Sequence, residues 1–213
     1  MATIQHPPLE FGLLVTALDT EFTGLITGTG VNPRVNFQSK AVAAYVLVHV
    51  AAATPQAASA ASIDGGFDHG IDSVYIAPDN TLWLVQSKFI QSGFGEPELG
   101  DVSKFRDGVS DLLRGEFARF NAALQGREAE IRRALEQEEC RVQVILAHTG
   151  GLISDDRRAI FRDLEIAFNA TNSSFLRCQA DFGADELVFR LARELGIGDF
   201  DREDAGEAFA GVV

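Results

Sequence analysis

The chain has 213 residues, of which 46% are apolar and 23% charged, with a formal net charge of −13. That composition belongs to a globular chain able to bury a full core, and the negative balance argues against non-specific coating of nucleic acid. The longest apolar run, residues 41–53, contains His49 and falls short of the ~18 residues a membrane span needs, and MATIQHPPLEF shows no basic region ahead of an apolar core, so neither a span nor a secretory leader is expected.

In residues 9–22, Leu13, Leu14, Ala17 and Leu18 fall on one side of a helix. Gly24, Gly28 and Gly30 then loop the chain before Pro33. Residues 36–53 read as a second helix, apolar on most sides and therefore buried, although YVLVHV is β-branched enough to suit a strand. Thr54-Pro55 ends it, and the Ala/Ser stretch 56–62 forms a short helix. A glycine-rich segment from Asp64 to Gly70 leads into two strand-like runs, 71–77 and 82–90, joined by the turn residues Pro78 to Thr81 as a β-hairpin. After the loop 91–100, Asp101 is read as the N-cap of a helix to Leu113, with Val102, Phe105, Val109 and Leu112 on its apolar side. Gly115 and Gly126 mark breaks, and helix continues to about Glu139. Residues 141–147 form a short apolar strand at the centre of the sheet, Ser154 caps a helix to about Ala170, and 175–182 alternates as a half-buried strand does. A last helix covers 184–195, and 196–213 is an acidic tail. The order predicts one α/β domain over 1–195, a mixed central β-sheet flanked by helices.

Half of the 18 basic residues lie between 88 and 141, and lysine occurs only at 40, 88 and 104 against 15 arginines. A lysine inside an apolar strand therefore asks for a reason. Alternation along 82–90 puts Leu82, Leu84, Gln86 and Lys88 on one side. The apolar pattern is thus cut at its C-terminal end by an amide and an ammonium, and an unpaired buried charge is costly. If the hairpin turns near Asp79, Asp72 lies opposite about 86 to 88, and an odd-length turn or a bulge brings it to the same face. A carboxylate and an amide oxygen suit a hard cation such as Mg²⁺. With a lysine to orient or deprotonate water, or to stabilise the phosphorus oxygens, these are parts for phosphodiester hydrolysis. The same spacing also fits a plain Asp72–Lys88 cross-strand salt bridge with Gln86 half exposed.

The segment Gly70-Ile71-Asp72, an apolar strand, and then Val85-Gln86-Ser87-Lys88 resembles the PD-(D/E)XK nuclease superfamily, most of all its Mrr-type branch, where Gln often replaces the glutamate of the ExK motif. DGGFDHGIDSVYI, LWLVQSKF, GEPELGDVSKFRDGVSDLL and FARFNAAL are similar to the N-terminal nuclease-like region of the abortive phage infection (AIPR) family, over about residues 37–125. The resemblance implies a restriction-endonuclease-like core and Mg²⁺-dependent cleavage of nucleic acid, with Mn²⁺ as a substitute metal. DNA is the first expectation and RNA is not separable from it. It also implies a role in defence against phage or foreign DNA. By that likeness Asp72 is the metal-binding acid, Gln86 the second ligand through its amide oxygen, the Ser87 backbone carbonyl a further ligand, and Lys88 the catalytic lysine.

Two departures stand out. Many members carry an extra glutamate on the first core helix, but 36–53 has no acid; Glu21 is the nearest candidate, with Asp64 or Asp68 as substitutes from the loop. Gln86 is neutral where many relatives have a carboxylate, so weak or substrate-assisted metal binding is expected. The AIPR proteins are usually longer, with a C-terminal region. A homodimer or a partner defence protein is the expected means of gaining affinity for a polyanion.

Among the other polar residues, His69 beside Asp68 is read as a phosphate or metal contact or an exposed turn histidine, and His49 as a core histidine. Lys104 and Arg106, at a helix N-terminus, suit a substrate phosphate or simply a solvated face. Trp83 and the 16 phenylalanines read as core, with no exposed aromatic row. Cys140 and Cys178 lack metal spacing and fit a reducing, cytoplasmic setting. The rival to a nuclease is a non-catalytic nucleic-acid or protein binding module on the same fold.

Overall fold

A computed structural model describes residues 9–63, 65–170, 174–183, 186–187 and 190–191. The longest helix, α2 (Pro33–Ala51), is set by its ends. Asn32 accepts the Val35 N–H at 3.3 Å with proline in the first turn, and Ala52 leaves the helix in the left-handed conformation at φ 52°. The β-branched YVLVHV stretch is helical because Tyr45, Val46 and Leu47 are all buried, and packing outweighs propensity. α1 (Leu9–Phe22) and α3 (Pro55–Ala60), the latter capped by the Thr54 hydroxyl, share its core.

The hairpin forms as expected. β1 (Ser73–Ile76) and β2 (Thr81–Lys88) are antiparallel, with Ser73 facing Val85 and Ile76 facing Leu82. β3 (Arg141–His148) runs parallel to β2, and β4 (Leu176–Phe182) parallel to β3, giving a mixed sheet in the order β1-β2-β3-β4. Between β2 and β3 come α4 (Leu99–Leu113), a 3-10 turn (Phe117–Arg119), α5 (Ala122–Gln125) and α6 (Glu128–Leu135). α7 (Asp155–Phe168) links β3 to β4. The breaks expected at Gly115 and Gly126 both occur, and the last of these helices ends at Leu135, short of the expected Glu139. Gly115 sits at φ +81°, where a Cβ would come within 2.9 Å of the Arg132 guanidinium, so the chain reverses there instead of continuing.

Period-two alternation divides β2 between two cores. Val85 faces α2, while Leu82 and Leu84 face Val102, Phe105 and Val109 of α4 and Phe161 of α7. Each such buried side chain contributes about 1.5–3 kcal/mol. The two outer strands are covered: Arg127 donates to the Val74 carbonyl, and on β4 Asn169 bonds both N and O of Leu176 while Glu165 accepts the Cys178 N–H. The fold is therefore α/β, a four-stranded mixed sheet flanked by helices. Of the final helix expected over 184–195, residues 186, 187, 190 and 191 are helical. The rest of that helix, and the tail 196–213, lie outside the described residues. No described helix is long and apolar enough to cross a membrane.

Candidate functional site

The polar end of β2 lies between the loop 65–72 and the first turns of α4. Two glycines permit that close approach. A Cβ on Gly70, at φ +80°, would lie 2.9 Å from the Phe105 backbone and 3.2 Å from Gln86 Nε2, and one on Gly108 would lie 2.3 Å from the His69 carbonyl. Asp68 Oδ1 accepts the Gly70 N–H at 2.8 Å and pairs with Lys104 Nζ at 2.8 Å, pinning the loop to α4.

Asp72 stands at a bulge. Its N–H donates to Val85 O, although Ser73 already faces Val85, so two residues oppose one. A bulge is one of the two ways expected to bring Asp72 to the face of Gln86 and Lys88; here it turns the carboxylate onto Ser87 instead. Oδ2 of Asp72 accepts the Ser87 N–H at 2.7 Å and lies 3.2 Å from Ser87 Oγ, which also contacts the Ser39 carbonyl on α2 at 2.8 Å. The Asp72–Lys88 cross-strand bridge, the alternative reading of this spacing, does not form. Lys88 Nζ instead pairs with Asp101 Oδ2 at 2.9 Å. Asp101 is not the helix cap, because α4 starts at Leu99 with Glu98 in the cap position, and its carboxylate is left to meet the lysine. The legible signal was Phe105: a core residue one turn later on α4 puts Asp101 on the side facing β2.

Gln86 lies on the same side as Lys88 and is 2% exposed. Its Nε2 donates to the Asp101 carbonyl at 3.4 Å, but Oε1 has no hydrogen-bond partner among the described residues. A buried unsatisfied acceptor costs about 1–3 kcal/mol, so the position is not optimised for stability. Burial pushes Asp72 up to about 6 against the pull of the Ser87 N–H; Asp68 adds to the rise and Lys88 opposes it. Lys88 therefore acts on Asp72 through space without touching it. The Ser87 N–H points to the β1 side, and in an extended strand the carbonyl of the same residue points the same way, past the end of β1.

The oxygens at this end of β2 are of the hard kind that a divalent cation takes. Asp72 keeps Oδ1 outside its bonds to Ser87, the Gln86 amide oxygen has no partner among the described residues, and the Ser87 carbonyl points toward the β1 edge. Among the described residues no group of three or more His, Cys, Asp or Glu side chains is arranged to hold a metal. The fit thus rests on one carboxylate and two neutral oxygens.

The lesser candidates divide. Asp68 and Lys104 join the site as a pair. Glu21 does not: it faces His49 Nε2 at 3.7 Å, about 15 Å along α2 from the Ser39 that touches Ser87. Asp64 lies outside the described residues. His69 serves the fold, with Nε2 2.9 Å from the Arg119 carbonyl and its ring 5.1 Å from that of Phe120. Arg106 pairs with Asp107 at 2.6 Å. Cys140 and Cys178 are free thiols, both pushed up by burial and so poor nucleophiles. The reading of all phenylalanines as core fails at Phe67 and Phe94, which are 78% and 37% exposed. Comparison with protein-family models, with curated proteins and with solved structures finds no match. The fold and site alone define the class: an α/β protein with a carboxylate, a buried amide and two lysines gathered at one end of a parallel strand pair.

Proposed function

We propose that the chain is a Mg²⁺-dependent nuclease with a restriction-endonuclease-like core, hydrolysing phosphodiester bonds of nucleic acid, DNA in the first place. The observation that carries this reading is the buried, unpartnered Oε1 of Gln86 beside Ser87 and Lys88. Asp72, Gln86 Oε1 and the Ser87 carbonyl would hold the cation, which when bound acts as a Lewis acid on the phosphate and lowers the pKa of water. Lys88 Nζ orients the attacking water or donates to the phosphoryl oxygens as charge builds on them. A water oxygen bonds to phosphorus, the ester P–O bond breaks, and the leaving oxygen takes up a proton. Asp101 keeps the ammonium of Lys88 at the end of β2 between turnovers. A part in defence against phage rests on the resemblance to the AIPR family. The net charge of −13 opposes a polyanion, which favours action as a homodimer or with a partner defence protein.

The test incubates wild type and Lys88→Ala with plasmid, single-stranded DNA and RNA in Mg²⁺, Mn²⁺ or EDTA. Wild type is expected to cut in either metal and not in EDTA. Lys88→Ala loses cleavage by about 10²-fold or more while still binding. No metal-dependent cleavage of any substrate by wild type overturns the reading. A second reading, a non-catalytic binding module, draws on the Lys88–Asp101 pair, which already satisfies the lysine. Under it wild type cuts nothing and Lys88→Ala binds as wild type does.

A further inference from the structure

We propose that Phe67 is a stacking platform for an unpaired base, so that the chain prefers single-stranded or locally opened nucleic acid to intact duplex. The inference rests on the nuclease reading only for its ligand class. A lone exposed phenylalanine is ordinary; this one is held outward by a backbone that a bulky residue rarely adopts. Phe67 has φ +64° and is 78% exposed, in a position that glycine or asparagine would occupy without steric cost. His69, the other left-handed non-glycine of the loop, has an internal reason, its contacts with Phe120 and Arg119. Among the described residues the Phe67 ring has no such contact.

The loop around it is anchored rather than loose. The Phe67 carbonyl accepts the Asn121 N–H at 3.0 Å, and the next residue, Asp68, holds both Gly70 N–H and Lys104. The ring is thus presented to solvent from a fixed base. Beside it, Lys104 is half exposed and able to meet a phosphate, and the same loop continues into Asp72. A base on Phe67 and its phosphate near Lys104 would bring the adjoining phosphodiester toward the end of β2. Every base has a π-face, so stacking of this kind selects strandedness and not sequence.

The experiment titrates a single strand carrying 2-aminopurine, and the same sequence as a full duplex, into wild type, Phe67→Ala, Phe67→Tyr and Phe67→Gly, in EDTA and again in Ca²⁺. Wild type is expected to bind the single strand and quench the 2-aminopurine fluorescence. Phe67→Ala and Phe67→Gly lose the quench and bind the single strand about ten- to a hundredfold more weakly, with little change for duplex. Phe67→Tyr keeps both. Phe67→Gly melts at or above the wild-type temperature, which separates loss of the stack from loss of the fold. Single-strand binding by Phe67→Ala indistinguishable from wild type, equal weakening on single strand and duplex, or no nucleic-acid binding by wild type overturns the inference. Phe67-dependent quenching by a chain that cuts nothing in Mg²⁺ or Mn²⁺ sinks the nuclease reading and leaves this one standing. Cleavage of single-stranded DNA with binding untouched by Phe67→Ala does the reverse.

Discussion

The two halves of β2 obey the same alternation and end differently. On the face toward α4, Leu82 and Leu84 are fully buried in an apolar layer, whereas two residues further along the same face Gln86 is equally buried with an acceptor left unmatched and Lys88 leans on a helix carboxylate. One half spends its burial on stability. The other holds polar groups that a protein selected for stability alone would have replaced, and such local exceptions concentrate where function is needed.

The sharpest way to break this contrast is to cut into both halves. Leu84→Ala should destabilise the fold by about 2–5 kcal/mol in a denaturant titration, through lost transfer free energy and the cavity left among Val102, Phe105 and Phe161. A loss below about 1 kcal/mol would mean that the apolar half is not a packed core. Gln86→Leu should act in the opposite direction. It removes the orphaned acceptor and gains about 1–2 kcal/mol in the same titration, while abolishing metal-dependent cleavage. If Gln86→Leu destabilises as Leu84→Ala does, the amide is structural.

A pH series sharpens the comparison at Asp72. Its pKa in the fold, about 6, lies above the ordinary 3.8, so the native chain holds this proton more tightly than the unfolded one. The group's contribution to stability is therefore present at low pH and lost as pH rises from about 4 to about 6. Asp72→Asn keeps an oxygen for the Ser87 N–H without the charge. Its melting temperature should exceed wild type above pH 6 and converge with it near pH 4. Cleavage by wild type should rise through the same window, since the carboxylate form is the one that binds a cation. A melting difference that does not vary with pH would show that Asp72 is not the titrating group. The smallest effect belongs to Asp101→Asn. Its partner Lys88 is 34% exposed, so the pair stabilises by less than about 1 kcal/mol and the melting temperature barely moves.

Much of the scaffold was legible because its signals are local. The hairpin turn at Pro78–Thr81, the apolar run of β3 and the alternation of β4 depend on neighbours in sequence. The breaks at Gly115 and Gly126 were legible as glycines, but the end of the last helix at Leu135, short of the expected Glu139, was not. The site was legible in its membership more than in its wiring. Gln86 and Lys88 share a side, where both reach Asp101, whereas the bulge turns the Asp72 carboxylate onto Ser87, whose hydroxyl faces α2. Phe67 escaped notice because exposure of an aromatic is a property of the folded surface.

By itself, then, the order of residues determined that Gln86 and Lys88 share one side of a strand whose other members on that side are leucines, because side chains in an extended chain alternate whatever surrounds them. Tertiary packing alone decided which acid meets the lysine. Asp101 reaches Lys88 because Phe105 and the glycines at 70 and 108 seat α4 against the sheet at that height, and no spacing along the chain encodes the distance between two docked elements.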